Sequence, residues 1–442
     1  MTLPRFSILR ATRVTLIIFF ALQFFSFIAT ASAYLKMPER ADGPIPKLLS
    51  QTGAFQAVRS FAPDAALIPY ALNVPFWSDG AEKVRWVSVP AHQKIKFAAT
   101  GEWVFPCGTV FVKTFFIATN ELQPQALRRL ETRLLVCDAS GGVYGVTYKW
   151  RVDNSDADLL ETNFTETIPI QTANGVRPQA WYYPSRADCL TCHTANAGYV
   201  LGVKTRQLNG DFTYPSGVTE NQLRAWNQLG LFDKKISEVD LSHFPALAKT
   251  TDATRSLEDR ARSYLDANCA NCHRPHGTVA YFDARYDTPL AQQNLTGGRV
   301  LIDERIDGAR VIAPNDCWRS ILFMRANTTE AFKMPPLARN TIDDAGMNLL
   351  RQWIESLPGA PVLPPPEISP RGGNFSQPVE VILKSEPGAK IYYTLDGTVP
   401  TTSDLLYGKP IRLTAPTIVR AKAFKPGFTK SITAKEIFLF GR

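Results

Sequence analysis

Apolar and polar residues alternate in four stretches of the N-terminal half: "KVRWVSV" (83–89), "TVFVKTFFI" (109–117), "RRLETRLLVCD" (128–138) and "GVYGVTYKWRV" (142–152). A period of two sends successive side chains to opposite faces of a strand, and Gly, Pro, Asn and Asp punctuate the runs, so residues 34–185 predict a β-rich domain. The period then lengthens. Leu257, Ala261, Tyr264 and Leu265 follow Ser256 at helical spacing, as do Met347, Leu350, Trp353, Ile354 and Leu357 before Pro358 and Gly359. Between these and the β-rich part, Thr219 and Gln222 read as a capping box opening a helix that carries Leu223, Trp226 and Leu229. Short strands return in "VEVILKS", "KIYYTL", "PIRL", "TIVRAKAF" and "ITAKEIFLF", beyond the proline-rich linker at 359–367.

Composition adds limits. The 442 residues are 45% hydrophobic and 11% aromatic, which suits packed cores over several domains. Of the net charge of +9, Arg5, Arg10 and Arg13 supply three; the other cations are scattered among acids, so no nucleic-acid partner is expected. Those three arginines precede an apolar run from Val14 to Ile28 and the small residues Ala31, Ser32 and Ala33. This reads as a secretory signal peptide over 1–33, leaving an exported chain with no transmembrane anchor after cleavage, periplasmic or at the cell surface of a bacterium.

Export changes the meaning of seven cysteines. Cys189, Cys192 and His193 form a Cys-x-x-Cys-His motif, and Cys269, Cys272 and His273 repeat it eighty positions later. Random placement of seven Cys and five His would produce on the order of 0.001 such motifs. Structural zinc knuckles need no histidine beside either cysteine pair, and a thioredoxin-like dithiol explains neither the repeat nor the histidines. The pattern is that of covalent c-type haem attachment: two thioethers to one macrocycle and a histidine beneath the iron. Two haem c groups are expected, with His193 and His273 as axial ligands. Cys107 and Cys137 lie on or beside neighbouring predicted strands, where a disulfide and two free thiols both fit; Cys317 is left over.

Sixth ligands differ between the motifs. Met334, followed by Pro335 and Pro336 in "KMPPLAR", sits in a loop those prolines hold extended, and is the expected second axial ligand of the His273 haem. No methionine or further histidine lies between His193 and the predicted helix at 222–229. His243 is the first candidate there, with His92, Met37, Met324 or an open position as alternatives.

First helix, haem motif, Met loop and last helix come in the order of a class I cytochrome c domain, which 252–358 resembles, with 186–251 as a first haem module. "PFWSDGAEKVRWVSVP", "WYYPSRADCLTCH", "RARSYLDANCANCHRP", "FDARYDTPL" and "MPPLAR" together resemble a family of secreted bacterial dihaem c-type cytochromes, over most of 40–358. That resemblance implies haem binding through Cys189, Cys192, His193, Cys269, Cys272, His273 and Met334, and electron transfer; His276 and Cys317 depart from its expected pattern. "IYYTLDGTVPT", "YGKPIRL" and "VRAKAFKPGFTKS" resemble the C-terminal domain of chitobiase and β-hexosaminidases, a non-catalytic sandwich. It implies a small β-sandwich over 368–442, with polysaccharide as a candidate partner. The expected fold class is therefore a multidomain chain of α and β parts: an N-terminal β-rich domain, α-helical class I cytochrome c-like haem modules and a C-terminal β-sandwich. The function expected is single-electron transfer between redox proteins. A dihaem peroxidase-like or oxidase-coupled enzyme with a reactive first haem is the alternative, and a carbohydrate-associated surface protein with a redox module a third.

Overall fold

The computed structural model describes residues 35–337 and 339–441; the signal peptide expected at 1–33 lies outside them. Contacts divide the chain into two compact units. One runs to Leu72 and continues over Ala81–Pro245; the other joins Asn73–Gly80 to the chain from Ala246 onward.

The first unit is built on a six-stranded antiparallel meander in chain order: β1 (Ile68–Pro69), β2 (Glu82–Ser88), β3 (Val110–Ala118), β4 (Leu127–Cys137), β5 (Val143–Trp150) and β6 (Ala157–Leu159). Register follows the alternation, because a one-residue slip would turn each apolar set to the wrong face. Trp86, Val112, Leu134 and Val146 align across β2 to β5 and pack with Leu49, Phe55 and Trp150. On the opposite face Val87, Phe111 and Leu135 align and end at Gly145, beneath a cluster containing Trp103, Trp226 and Phe232. A hairpin of β7 (Phe164–Thr172) and β8 (Gly175–Tyr183) leads into α1 (Arg186–Cys192), and α2 (Thr205–Leu208), α3 (Gln222–Gln228) and α4 (Glu238–His243) complete the unit. The start of α3 differs from the capping box expected at Thr219. Thr219–Asn221 instead pairs as a strand with Asp211–Thr213, and the Asn221 side chain caps the helix by accepting from the N–H groups of Leu223 and Arg224 at 3.0 and 3.3 Å.

In the second unit Ser256 caps α5 (Leu257–Asn268), accepting from Asp259 N–H at 3.0 Å, and Asp343 caps α7 (Asp344–Ser356) through Gly346 N–H at 3.0 Å. Between them comes the short α6 (Ile321–Ala326). The helices share a core of Leu265, Phe323, Met347, Leu350 and Trp353. Gly346 lies against Tyr264: a Cβ there would meet the phenol ring at 2.5 Å. Beyond residue 366 follow β9 (Glu367–Ser369), β10 (Gly373–Phe375), β11 (Val379–Lys384), β12 (Lys390–Thr394), β13 (Leu405–Leu406), β14 (Ile411–Leu413), β15 (Thr417–Phe424) and β16 (Ala434–Phe440). They make a three-stranded sheet, β9-β11-β14, and a five-stranded sheet, β10-β16-β15-β12-β13, around Val381, Leu383, Val419 and Phe438.

These observations correct the expected fold class. The described residues are dominated by strands, with seven α-helices of thirteen residues at most, and they do not form α-helical class I cytochrome c-like modules. The reason is local. The long stretch between α5 and α7 is dense in turn formers, as in "NLTGGRV", "APNDC" and "KMPPL", and yields one six-residue helix and otherwise turns and irregular backbone. Around the first motif the neighbouring chain pairs as strands, and α1 is a single short helix laid on β5.

Candidate functional site

The second motif is shaped by the end of α5. Cys269 is its C-cap, donating its N–H to Leu265 C=O at 2.8 Å, and the N–H groups of Cys272 and His273 fold back on Cys269 C=O at 3.1 and 2.9 Å. This tight turn brings both cysteines and His273 to one cleft. Met334 lies on the same cleft wall, together with Trp77, Val300 and Leu322. Apolar walls carrying a few placed donor atoms are of the kind that takes a cofactor.

Each donor on that wall has a defined state. The His273 ring stacks on Phe282 with centroids 4.3 Å apart, and its Nδ1 is buried with no hydrogen-bond partner. Burial, and then the charge of Arg325, hold its pKa down at about 4, so the imidazole is neutral at physiological pH and can serve as a nitrogen ligand. Burial pushes the Cys269 thiol up to about 12. The Met334 loop is pinned: Met334 N–H donates to Arg325 C=O at 2.8 Å, and Arg325 Nε donates to Phe332 C=O at 2.8 Å. Downstream, Asp79 accepts from the N–H groups of Asn340 and Thr341 at 2.6 and 2.8 Å, and Asn268 Oδ1 accepts from Trp77 N–H at 2.8 Å. Asp79 has its pKa raised by burial despite these bonds.

The first motif is held differently. Ser185 caps α1 by accepting from Asp188 N–H at 3.3 Å, and Asp188 accepts from Ser185 N–H at 2.8 Å and from Tyr182 Oη at 2.7 Å. Cys189 lies over Gly145 of β5, where a Cβ would meet its Sγ at 2.7 Å, so only glycine admits the thiol at this point of the sheet. His193 follows as the C-cap, and its Nδ1 donates to Tyr199 C=O at 2.6 Å. Tyr199 presents that carbonyl from a left-handed backbone, φ 62°. The bond fixes the tautomer and leaves Nε2 as the free acceptor, the arrangement in which metal-binding histidines are commonly oriented. Burial, only partly offset by the Tyr199 bond, keeps the His193 pKa at about 4.

The donor set suits haem c at both motifs: paired cysteines, a neutral imidazole, and at the second a thioether facing the same cleft. No group of three or more His, Cys, Asp or Glu able to hold a bare metal ion occurs among the described residues. His243, the first candidate for the sixth position at His193, ends α4 on the surface with its Nδ1 bonded to Val239 C=O at 2.6 Å, and no hydrogen bond or ring contact joins it to His193. His92 and His276 are exposed, with φ of 64° and 62°, and Met37 packs on the first sheet core. Cys107, Cys137 and Cys317 are free thiols, Cys107 exposed and the other two buried. Sequence reasoning missed the Tyr199 carbonyl and the Asp79 anchor. It also missed a row of basic residues on the sheet beside Cys189, although a central cation in each of the three alternating runs "KVRWVSV", "TVFVKTFFI" and "ETRLLV" was its visible trace.

The chain is thus a β-rich, two-unit protein with twin Cys-x-x-Cys-His turns. Residues 370–435 match the chitobiase/beta-hexosaminidase C-terminal domain family, a span that runs from β10 to the start of β16. A search of curated proteins gives no match. No helix among the described residues is long and apolar enough to cross a membrane.

Proposed function

We propose that the chain is an exported dihaem c-type cytochrome that passes single electrons between redox proteins outside the cytoplasmic membrane. The observation that carries this reading is the meeting of Cys269, Cys272 and His273 with Met334 on one apolar cleft, although 61 positions separate the histidine from the methionine. Haem, when bound, supplies an iron that cycles between two oxidation states. The chain's own residues do the rest. Cys269 and Cys272 tether the group as thioethers, His273 offers a neutral ring nitrogen, and Met334 offers a sulfur that favours the reduced iron. Trp77, Phe282 and Leu322 exclude water, which keeps electron transfer from being coupled to large solvent rearrangement. Cys189, Cys192 and His193 fill the same roles at the first motif. The sequence resemblance to secreted bacterial dihaem cytochromes supports the reading, and the fold correction does not touch it, since attachment depends on the motif turn and its cleft.

Met334→Ala in the exported full chain tests it. The variant is expected to lose the methionine–iron charge-transfer band of one haem and to lower that haem's potential; an unchanged spectrum overturns the assignment.

A second reading is favoured by the placement of His243, which is bonded to its own helix. With the sixth position at His193 open, the first haem would bind small ligands, and the chain would be a dihaem peroxidase-like or oxidase-coupled enzyme. Carbon monoxide binding to one haem of the reduced wild type separates the two readings. For the C-terminal sheets, we read the family match as a carbohydrate-associating module, with the Tyr393 and Tyr407 rings, 6.3 Å apart, as the candidate contact. Retention on insoluble chitin that Tyr393→Ala abolishes is the expected result.

A further inference from the structure

The sheet face that receives Cys189 carries a second feature. Arg85, Lys113, Arg133 and Thr147 are directly paired across β2, β3, β4 and β5, and so form one cross-strand row on one face. That face is the one Gly145 turns toward Cys189, since Gly145 and Thr147 are two apart on β5. On one side of the row lie Val87, Phe111 and Leu135; on the other, Phe115 packs on Trp181 with ring centroids 5.7 Å apart. Three cations therefore cross this face, between an apolar row and a row of Lys83, Phe115, Glu131 and Lys149 that supplies one acid.

Their charge is not balanced within the protein. Glu131 is fully buried and is already engaged by Arg133, through contacts of 2.6 and 3.0 Å, and by Trp181 Nε1 at 3.2 Å. Arg85 is 8% exposed, and neither it nor Lys113 has a carboxylate partner among the described residues. Lys113 Nζ instead stands 5.0 Å from the Phe115 ring centroid. Burial, then Arg133, Arg85 and Lys83, depress the Lys113 pKa well below the usual lysine range, and the charge of Glu131 offsets this only in part. At the end of the row Thr147 is 1% exposed, and its Oγ1 has no hydrogen-bond partner. An incompletely compensated buried cation and an unsatisfied hydroxyl are both costly, and they stand at the two ends of one row.

We infer that the row Arg85–Lys113–Arg133–Thr147 is a seat for anionic oxygen. The occupant is either the carboxylates of a cofactor tethered at Cys189 and Cys192 or a free small oxyanion; the first source rests on the dihaem reading, the second does not. Charge-assisted bonds from Arg85 and Lys113, with the Thr147 hydroxyl, would then orient the occupant and hold positive charge beside the first motif.

The test uses the full-length chain carrying Cys269→Ala and Cys272→Ala, made with haem-attachment machinery, so that haem at the first motif is seen alone. Where that haem is present, Lys113→Gln and the charge-neutral Thr147→Val should each shift its propionate-bending band in resonance Raman spectra. Lys113→Gln should also move its oxidation equilibrium several-fold toward the oxidised form. A band unmoved by either variant overturns the proposal, and Thr147→Val keeps the test alive if Lys113→Gln fails to fold. Where no haem is attached at Cys189 and Cys192, the dihaem reading fails and inorganic phosphate becomes the probe. Calorimetric binding that weakens at least tenfold in Lys113→Gln assigns the row to a free oxyanion; absence of phosphate binding overturns it.

Discussion

Two copies of one five-residue motif sit in contrasting surroundings. At Cys269 the motif ends a twelve-residue helix whose inner face is part of a core, and the chain downstream returns a methionine to the same cleft. At Cys189 it ends a seven-residue helix with no buried residue, held by the Ser185–Asp188 cap and by contact with a bare point of a β-sheet. The motif supplies its own turn in both places. What the fold adds differs: an apolar cleft with a second donor at one, and an oriented imidazole beside a basic row at the other. The dihaem proposal therefore implies one attachment chemistry in two electrostatic environments, and two haems of different potential.

The largest effect that would break this comparison comes from Cys269→Ala with Cys272→Ala. The pair should remove one haem of two and leave the other, counted by pyridine haemochrome; loss of both would mean that the sites are not independent. Next, Gly346→Ala should destabilise the second unit by about 1–3 kcal/mol in thermal unfolding, because the added methyl enters the Tyr264 ring and overpacking outweighs a gain of about 1 kcal/mol in helix propensity. Haem at the first motif should be unaffected. Ser185→Ala should act on the opposite side of the comparison, costing about 1 kcal/mol of cap energy and lowering haem occupancy at Cys189 alone.

The smallest effect is a pH dependence of opposite sign at the two sites. Burial raises the Asp188 pKa, but hydrogen bonds from Tyr182 and Ser185 outweigh it and leave the value lowered. Its contribution is present above the unfolded carboxyl pKa and is lost as pH falls through the folded value, so Asp188→Asn should flatten acid destabilisation below about pH 4. Asp79 has its pKa raised, with burial the leading cause. The folded state then binds the proton more tightly, and stability falls as pH rises from the unfolded pKa through the folded one; Asp79→Asn should remove that decline. Urea unfolding of each variant from pH 3 to 6 checks both signs.

What was legible in the sequence was what local spacing encodes. The two Cys-x-x-Cys-His turns need no partner from elsewhere, Met334 was marked by the prolines behind it, and the cap at Ser256 is set by a neighbour within three residues. The strands of the first sheet followed from alternation. The reading of α-helical modules around the two motifs failed because it rested on the order of first helix, motif, Met loop and last helix, while the connecting stretch, rich in Gly, Pro, Asn and Asp, favours turns. The basic row stayed hidden for a different reason. Arg85, Lys113 and Arg133 are each an unremarkable cation in an alternating run, and only the register of β2 to β5 places them side by side. Tyr199 and Asp79 act through a backbone carbonyl and a distant loop, neither of which leaves a pattern in composition.

Intact mass spectrometry of the exported protein after acid–acetone extraction decides whether each chain holds two haems covalently. The expected mass is that of the polypeptide plus two haems, falling by one haem in Cys189→Ala/Cys192→Ala and by the other in Cys269→Ala/Cys272→Ala. A mass equal to the bare polypeptide, from a host that attaches haem to a control cytochrome, would contradict it.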